Sequence, residues 1–311
     1  MPKIPVITAL VAALLFGAAT PASKALLNTI PPFQLAGLLY IGAAIGVTPL
    51  ILRQGKLVIP WHLSKVNLSR LIGSIFFGGI LGPVFLLFGL QSASSASVSM
   101  WLNLELIFTA LLGYFLFKDH LTVYAWLATA CMLFAAVLLA NSEGTAGITA
   151  GLFVALACLS WGLDNHLTVL IEDISPAQTT FWKGVVAGSI NFAIGTSANP
   201  HSTGFNLIGM AILVGVFAYG FSIVLYIISA QKLGATRGQT IFSTAPFFGV
   251  LLSAILLGEP IVSGQIWAGL IIIFSLAFLF LERHEHNHAH EKMLHTHPHW
   301  PDQHHRHVHK K

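Results

Sequence analysis

The chain has 311 residues, of which 55% are hydrophobic and only 8% charged, against roughly 25% charged in an average soluble domain. So little charge cannot clothe a water-exposed surface, and the long apolar runs must face lipid instead. The formal net charge of +4 does not make nucleic acid a partner, because the basic residues stand singly in loops and in the tail.

A spanning helix needs about 20 apolar residues. Ten segments meet that reading, near residues 4–26, 33–52, 69–90, 95–117, 122–141, 147–171, 177–197, 205–228, 236–257 and 263–281. The first has features of a cleavable leader: Lys3, an apolar run, then small residues at Ala22 and Ser23. Against cleavage, Phe16-Gly17 corresponds to Trp161-Gly162 in the sixth segment, so losing the first helix would leave one half short. Pro21 falls opposite His166 on that alignment, and Thr20 opposite Asn165. One half breaks the helix where the other places polar groups, which points either to a binding cavity or to a plain proline kink. The small-residue pairs Gly42/Gly46 and Gly184/Gly188 are expected to let helices approach closely.

The chain is duplicated. The stretch Leu90–Leu121 returns in altered form at Lys232–Ile261, and a shift of 140 positions lays Asp119 on Glu259, Leu116 on Leu256 and Leu121 on Ile261. With a slip of one residue, Trp126 meets Trp267. A period this long means two homologous halves rather than a solenoid. The expected fold class is all-α membrane protein, with a first five-helix repeat over 1–141, a second over 147–281, and a disordered cytoplasmic tail over 282–311. Five spans is an odd number, so the halves run in opposite senses, as in many secondary transporters. Only Asn141–Gly147 separates them. Cys131 and Cys158 lie inside apolar runs and read as packing residues.

Loop charges give the orientation. The side that holds the N-terminus, side A, also receives Arg53, Lys56, Lys65, Arg70, Lys118, Lys232, Arg237 and the tail, whereas side B receives little beyond Lys24. The positive-inside rule puts side A, and both termini, in the cytoplasm. Lys118, Asp119 and Glu259 fall at helix ends and read as anchors or caps.

The chain resembles the drug/metabolite transporter (DMT) superfamily, and within it the EamA type with ten helices. The resemblance covers about residues 4–281. It rests on the aromatic-Gly pairs Phe16-Gly17 and Trp161-Gly162, on Pro246 in the ninth segment, and on the acidic close "LLGEP" at Leu256–Pro260. The first half departs from the pattern: Leu106 stands where Pro246 stands in the second, with Glu105 before it. The stretches "LNLELIFTALL" and "SWGLDNHLT" with a His-rich tail look like an uncharacterised bacterial branch. The resemblance implies transport by alternating access in the bacterial cytoplasmic membrane, with no cofactor required.

Ionisable residues inside the spans mark the chemistry, because hydrocarbon makes them expensive without a role or a partner. Glu105 lies about ten residues into the fourth segment, roughly 15 Å deep and near the midplane, where carriers of this architecture hold substrate. It can exchange protons there. The structural alternative is a carboxylate tied to Asn103 or to a neighbouring helix. Asp164, Asn165 and His166 form a polar knot in the sixth segment, with Ser160 and Thr168 one turn either side of Asp164. Asp164 and Lys183 lie at similar depth on consecutive segments and are expected to form an ion pair, serving either as a clamp between helices or as part of the site. His166 reads as a hydrogen-bonded core histidine, or as a proton relay beside Asp164.

The tail is another material. It holds His284, His286, His288, His290, His295, His297, His299, His304, His305, His307 and His309, and it cannot bury enough apolar surface to fold alone. Such a tract binds zinc, nickel, cobalt or copper at several weak, exchangeable sites, either as a cytoplasmic buffer or sensor or without physiological use.

Three functions stay open on these residues: a proton- or ion-coupled exporter of a small metabolite, a divalent-metal exporter fed by the tail, and a non-transporting membrane sensor. No nucleotide loop, G-x-S-x-G elbow or H-E-x-x-H helix argues for an enzyme. The expected partners are membrane lipid and a small-molecule or ion substrate. Two internal halves make a self-sufficient monomer the expectation, with a dimer left open.

Overall fold

The computed structural model describes residues 3–117, 121–200, 203–233 and 241–281. The His-rich tail, Lys118, Asp119 and Arg237 lie outside these residues. All regular structure among the described residues is helical. Seven helical stretches are long and apolar enough to cross a membrane: Ile4–Leu27, Pro32–Gln54, Lys65–Ser92, Ser95–Leu116, Val123–Ser142, Thr145–Thr168 and Phe205–Tyr226. Two more, Ala245–Leu257 and Ser263–Phe278, are apolar but shorter.

Several of these stretches are composite. The first is α1 (Lys3–Gly17) followed by α2 (Ala19–Leu27). Its junction falls where Pro21, lacking an N–H, cannot bond back to Gly17. The second is the unbroken α3 (Pro32–Gln54). The third is α4 (Lys65–Ser74) and α5 (Gly82–Ser92), joined by a π-turn over Ile75–Leu81. The fourth is α6 (Ser95–Trp101) and α7 (Leu104–Phe117). Then come α8 (Val123–Ser142), α9 (Thr145–Val169) and α10 (Pro176–Ala198). The eighth is α11 (Phe205–Val214), a π-turn over Gly215–Phe221, and α12 (Ser222–Leu233). Helices α13 (Ala245–Leu257) and α14 (Ser263–Leu281) complete the order.

The duplication is visible in the irregularities. The two π-turns begin at Ile75 and Gly215, which is the same 140-residue shift (215 − 75) that relates the sequence copies. The break between α6 and α7 falls at Leu102-Asn103, and Ser243-Thr244 forms the matching turn just before α13. Both turns tighten to bonds three residues apart: Asn103 N–H donates to Met100 O at 3.2 Å, and Thr244 N–H to Ile241 O at 3.1 Å. The packing exchanges partners in the same way. Helix α1 packs on α12 and α13, while its counterpart α9 packs on α5 and α7. Helices α3 and α10, one from each half, lie against each other along their length, and so do α8 and α14.

Helix α10 is 23 residues long but is the least apolar of the expected spans. The reason is its position. Gln178, Thr179, Thr180 and Asn191 are buried, so its polar residues face protein rather than lipid. Close approach to α3 depends on glycine: a Cβ on Gly184 would lie 2.6 Å from Tyr40 O, and one on Gly188 would lie 2.8 Å from Ile41 N. Gly42 and Gly46 turn elsewhere, against Gly215 and Val216 of the second π-turn. Outward, the exposed residues of α8 and α14 include Leu133, Phe134, Val137, Ile266, Ile273 and Phe274, the composition expected of a surface facing acyl chains.

Candidate functional site

Asp164 is held by three elements. Lys183 Nζ of α10 lies 2.7 Å from each of its carboxylate oxygens, so the expected ion pair is present, with side chains only 12% and 11% exposed. Ser74 Oγ, at the end of α4, donates to Oδ1 at 2.6 Å, and Thr168 Oγ1, one turn along α9, donates at 2.9 Å. The expected face-sharing with Thr168 therefore holds, whereas Ser160 Oγ donates to Leu156 O instead. A buried ion pair must satisfy its remaining lone pairs to offset its desolvation, and Ser74 and Thr168 do that here.

The π-turn makes this geometry reachable. Gly78 leaves room for the Asp164 carboxylate, and a Cβ on Gly79 would lie 3.0 Å from Lys183 Cγ. A π-turn frees backbone carbonyls from the helical ladder, and Gly78 O is taken up from outside: Tyr40 Oη donates to it at 2.5 Å and Trp161 Nε1 at 3.1 Å. Trp161 of the aromatic-Gly pair thus anchors the turn.

Glu105 begins α7 just past the break. Its Oε1 accepts from Asn165 Nδ2 at 2.8 Å, so its partner comes from α9, next to Asp164. Asn103 does not hold Glu105. Its Nδ2 donates to Met100 O at 3.1 Å, capping a carbonyl that the break exposes, while its Oδ1 is buried with no partner. In the second half Pro246 stands at the start of α13 and interrupts the helix by lacking a donor. In the first half Leu106 stands in place of the proline, and the break falls at Leu102-Asn103. His166 turns toward α7, its Nε2 lying 2.9 Å from Thr109 O, away from the partners of Asp164.

Two small hollows flank these groups. One, of about 30 Å³, lies between the two breaks and is lined by Asn103, Glu105, Leu106, Phe242, Pro246 and Phe16. The other, of about 40 Å³, is lined by Lys183, Thr168, Thr180, Tyr40 and Tyr219. Phe16 and Tyr219 meet edge to face, ring centroids 6.0 Å apart, and partition the two. Tyr219 is 2% exposed and its hydroxyl has no partner, an uncommon state for a buried polar atom. Tyr219 and Phe242 were not legible as site residues, since aromatics in apolar runs read as core. The matched π-turn is what brings Tyr219 inward.

The side B ends of spans three and four are tied shut. Lys24 Nζ donates to Leu90 O at 2.7 Å and Ala93 O at 2.8 Å. Glu259 accepts from Ser95 N at 3.0 Å, Ser95 Oγ at 2.9 Å and Ala96 N at 3.1 Å. It is a cap, as expected, but one that reaches across from the other half. Glu143 accepts from Ser94 N at 3.0 Å and from Ser94 Oγ. Gln265 Nε2 donates to Ser94 Oγ and Ser97 Oγ, both at 3.0 Å. Burial pushes the Glu143 carboxyl up, but hydrogen bonds from Ser94 and Ser97 and the Lys24 charge outweigh it and hold it below the usual carboxylate range.

Charged and unpartnered polar groups gathered between interrupted helices, inside an apolar shell and closed at one end by a polar latch, are the layout of a membrane carrier for a small solute. The chain belongs to the EamA-like transporter family, which matches residues 3–141 and again residues 148–281. It is 25% identical over 303 residues to an uncharacterized transporter of Methanothermobacter thermautotrophicus (strain Delta H), covering 88% of this chain and 85% of that one. A crystal structure of a protein 17% identical shares the fold, with a TM-score of 0.62 over 90% of this chain and 98% of its own.

Proposed function

We propose that the protein is a secondary active carrier of ten spans in two inverted repeats. It exports a small solute across the cytoplasmic membrane by alternating access, with both termini in the cytoplasm and no chemical conversion of its cargo. One observation carries the reading: both halves interrupt a helix at matched places, and the two breaks, with Phe16, enclose a hollow that exposes Glu105. Matched interruptions beside an ionisable group are where inverted-repeat carriers bind substrate and coupling ion. Glu105 is the coupling carboxylate. Asn103 and Asn165 orient the site, and Asp164 with Lys183 fixes α9 to α10 beneath it.

The test is reconstitution in proteoliposomes under an imposed pH gradient, with counterflow of candidate metabolites. The wild-type protein gives gradient-dependent flux, and Glu105→Gln loses the dependence on the gradient. A Glu105→Gln protein with unchanged rate and pH profile overturns the coupling role. The divalent-metal reading stands on the tail: among the described residues no group of three His, Cys, Asp or Glu side chains could hold a metal. Truncation after Leu281, scored by growth under nickel, cobalt, zinc and copper stress, separates tail function from core function.

A further inference from the structure

The hollow between the breaks has a carboxylate and no Lys, Arg or His on its described wall. Asn103, 3% exposed, directs one amide N–H to Met100 O, and its Oδ1 is buried without a partner. Glu105 accepts one bond, from Asn165 on Oε1, and Oε2 has no partner among the described residues. Both residues, one of them a carboxylate, line the same small space. Lys183 is held on Asp164 by two contacts of 2.7 Å and lines the other hollow. The rest of the wall is the Ser243 side chain and the apolar or aromatic Phe16, Leu102, Leu106, Phe242, Ala245 and Pro246, with the Phe16 and Phe242 rings 5.4 Å apart.

We infer that this hollow binds the ammonium group of a small organic amine whose apolar body lies along Phe16 and Phe242. A group with several N–H donors and a positive charge satisfies both the Glu105 oxygen and the orphaned Asn103 Oδ1. Aromatic faces add to cation binding and accept the apolar remainder. A carboxylate or phosphate ligand would meet the Glu105 carboxylate with no Lys, Arg or His on the described wall to offset the repulsion. A divalent metal needs four or more ligand atoms, and among the described residues no group of three His, Cys, Asp or Glu side chains could hold one. Size agrees: one water needs roughly 10–15 Å³ of such space, so about 30 Å³ admits an ammonium head before the halves part to admit the body.

The assignment rests on the carrier reading of this site, so it is tested by binding alone, on full-length protein in detergent and without transport. The probes are phenethylamine, its acid counterpart 3-phenylpropionate, and zinc chloride, each titrated by thermal shift and by isothermal calorimetry. Phenethylamine is expected to bind saturably and at least tenfold more tightly than 3-phenylpropionate. Glu105→Gln, which keeps the shape of the side chain, is expected to weaken amine binding at least tenfold, and Glu105→Asp to weaken it less. Zinc is expected to act equally on wild type and Glu105→Gln. Absence of saturable amine binding, acid binding as tight as amine binding, or amine affinity unchanged in Glu105→Gln overturns the assignment. Flux that fails while amine binding holds would instead count against the carrier reading.

Discussion

Gly78 lies directly against the carboxylate of Asp164. A Cβ added to Gly78 would overlap Oδ2, Cγ and Cβ of that side chain at once. The π-turn brings the Gly78 backbone this close, and the absence of a side chain lets Lys183 and Ser74 reach the same carboxylate. Gly78→Ala must displace Asp164 or spread the turn, an overpacking cost of about 1–3 kcal/mol. Gly209→Ala, where nothing lies within 4 Å of the new atom, is the control. Thermal unfolding in detergent should show a lower midpoint for Gly78→Ala and no loss for Gly209→Ala.

Lys183→Met removes the cation and leaves the Asp164 charge buried. Breaking a buried pair from one side costs about 3–5 kcal/mol. Combining Lys183→Met with Asp164→Asn removes both charges and should recover most of that loss. A double variant no more stable than the single one would show that the pair contributes through its shape alone, and the two-variant cycle in thermal unfolding reads the difference.

The carboxyl of Glu143 is held below its ordinary value of 4.5, which sets the sign of its pH effect. A depressed folded pKa means that the ionised form is the one the folded loop favours. Its stabilisation is complete above about pH 4.5 and is lost as pH falls through the lower folded value. The wild-type thermal midpoint should therefore drop more between about pH 5 and pH 3.5 than that of Glu143→Gln. Equal slopes would mean that Ser94 does not hold the charged form.

The latch at Glu259 predicts accessibility rather than stability. Ala96 is 2% exposed and its N–H is bound by Glu259 at 3.1 Å. A cysteine placed at Ala96 should resist a membrane-impermeant maleimide. Adding Glu259→Gln weakens a charge-assisted cap and should raise the labelling rate several-fold above that of the native Cys131 and Cys158. Unchanged labelling would place the closure elsewhere.

Much of this was legible before any coordinates. The two halves show because apolar runs of spanning length repeat with a fixed shift. Asp164 and Lys183 could be paired because depth in a helix follows from counting residues. The irregular backbone was not legible. A π-turn such as "IFFGGIL" carries no residue pattern distinct from an apolar helix, and Asn103 gives no proline-like warning of a break. The partner of Glu105 was missed for a related reason. Asn165 lies 60 positions away, on a helix that meets α7 only after the halves fold together. Glu143 and Gln265 belong to loops and ends whose partners are set by that same docking.

The duplication copies the backbone but not the charges. Position by position, the Gly78-Gly79 of one π-turn corresponds to Ala218-Tyr219 in the other, and the Asp164–Lys183 bond lies within the second copy. Under the proposed alternating access, perfect copies would leave the inward- and outward-facing arrangements degenerate in energy. Here the Asp164–Lys183 bond has no charged equivalent in the first copy. On the proposed mechanism the two facings of the empty protein therefore differ in energy, and that difference sets how long it waits in each rather than the net work of a cycle.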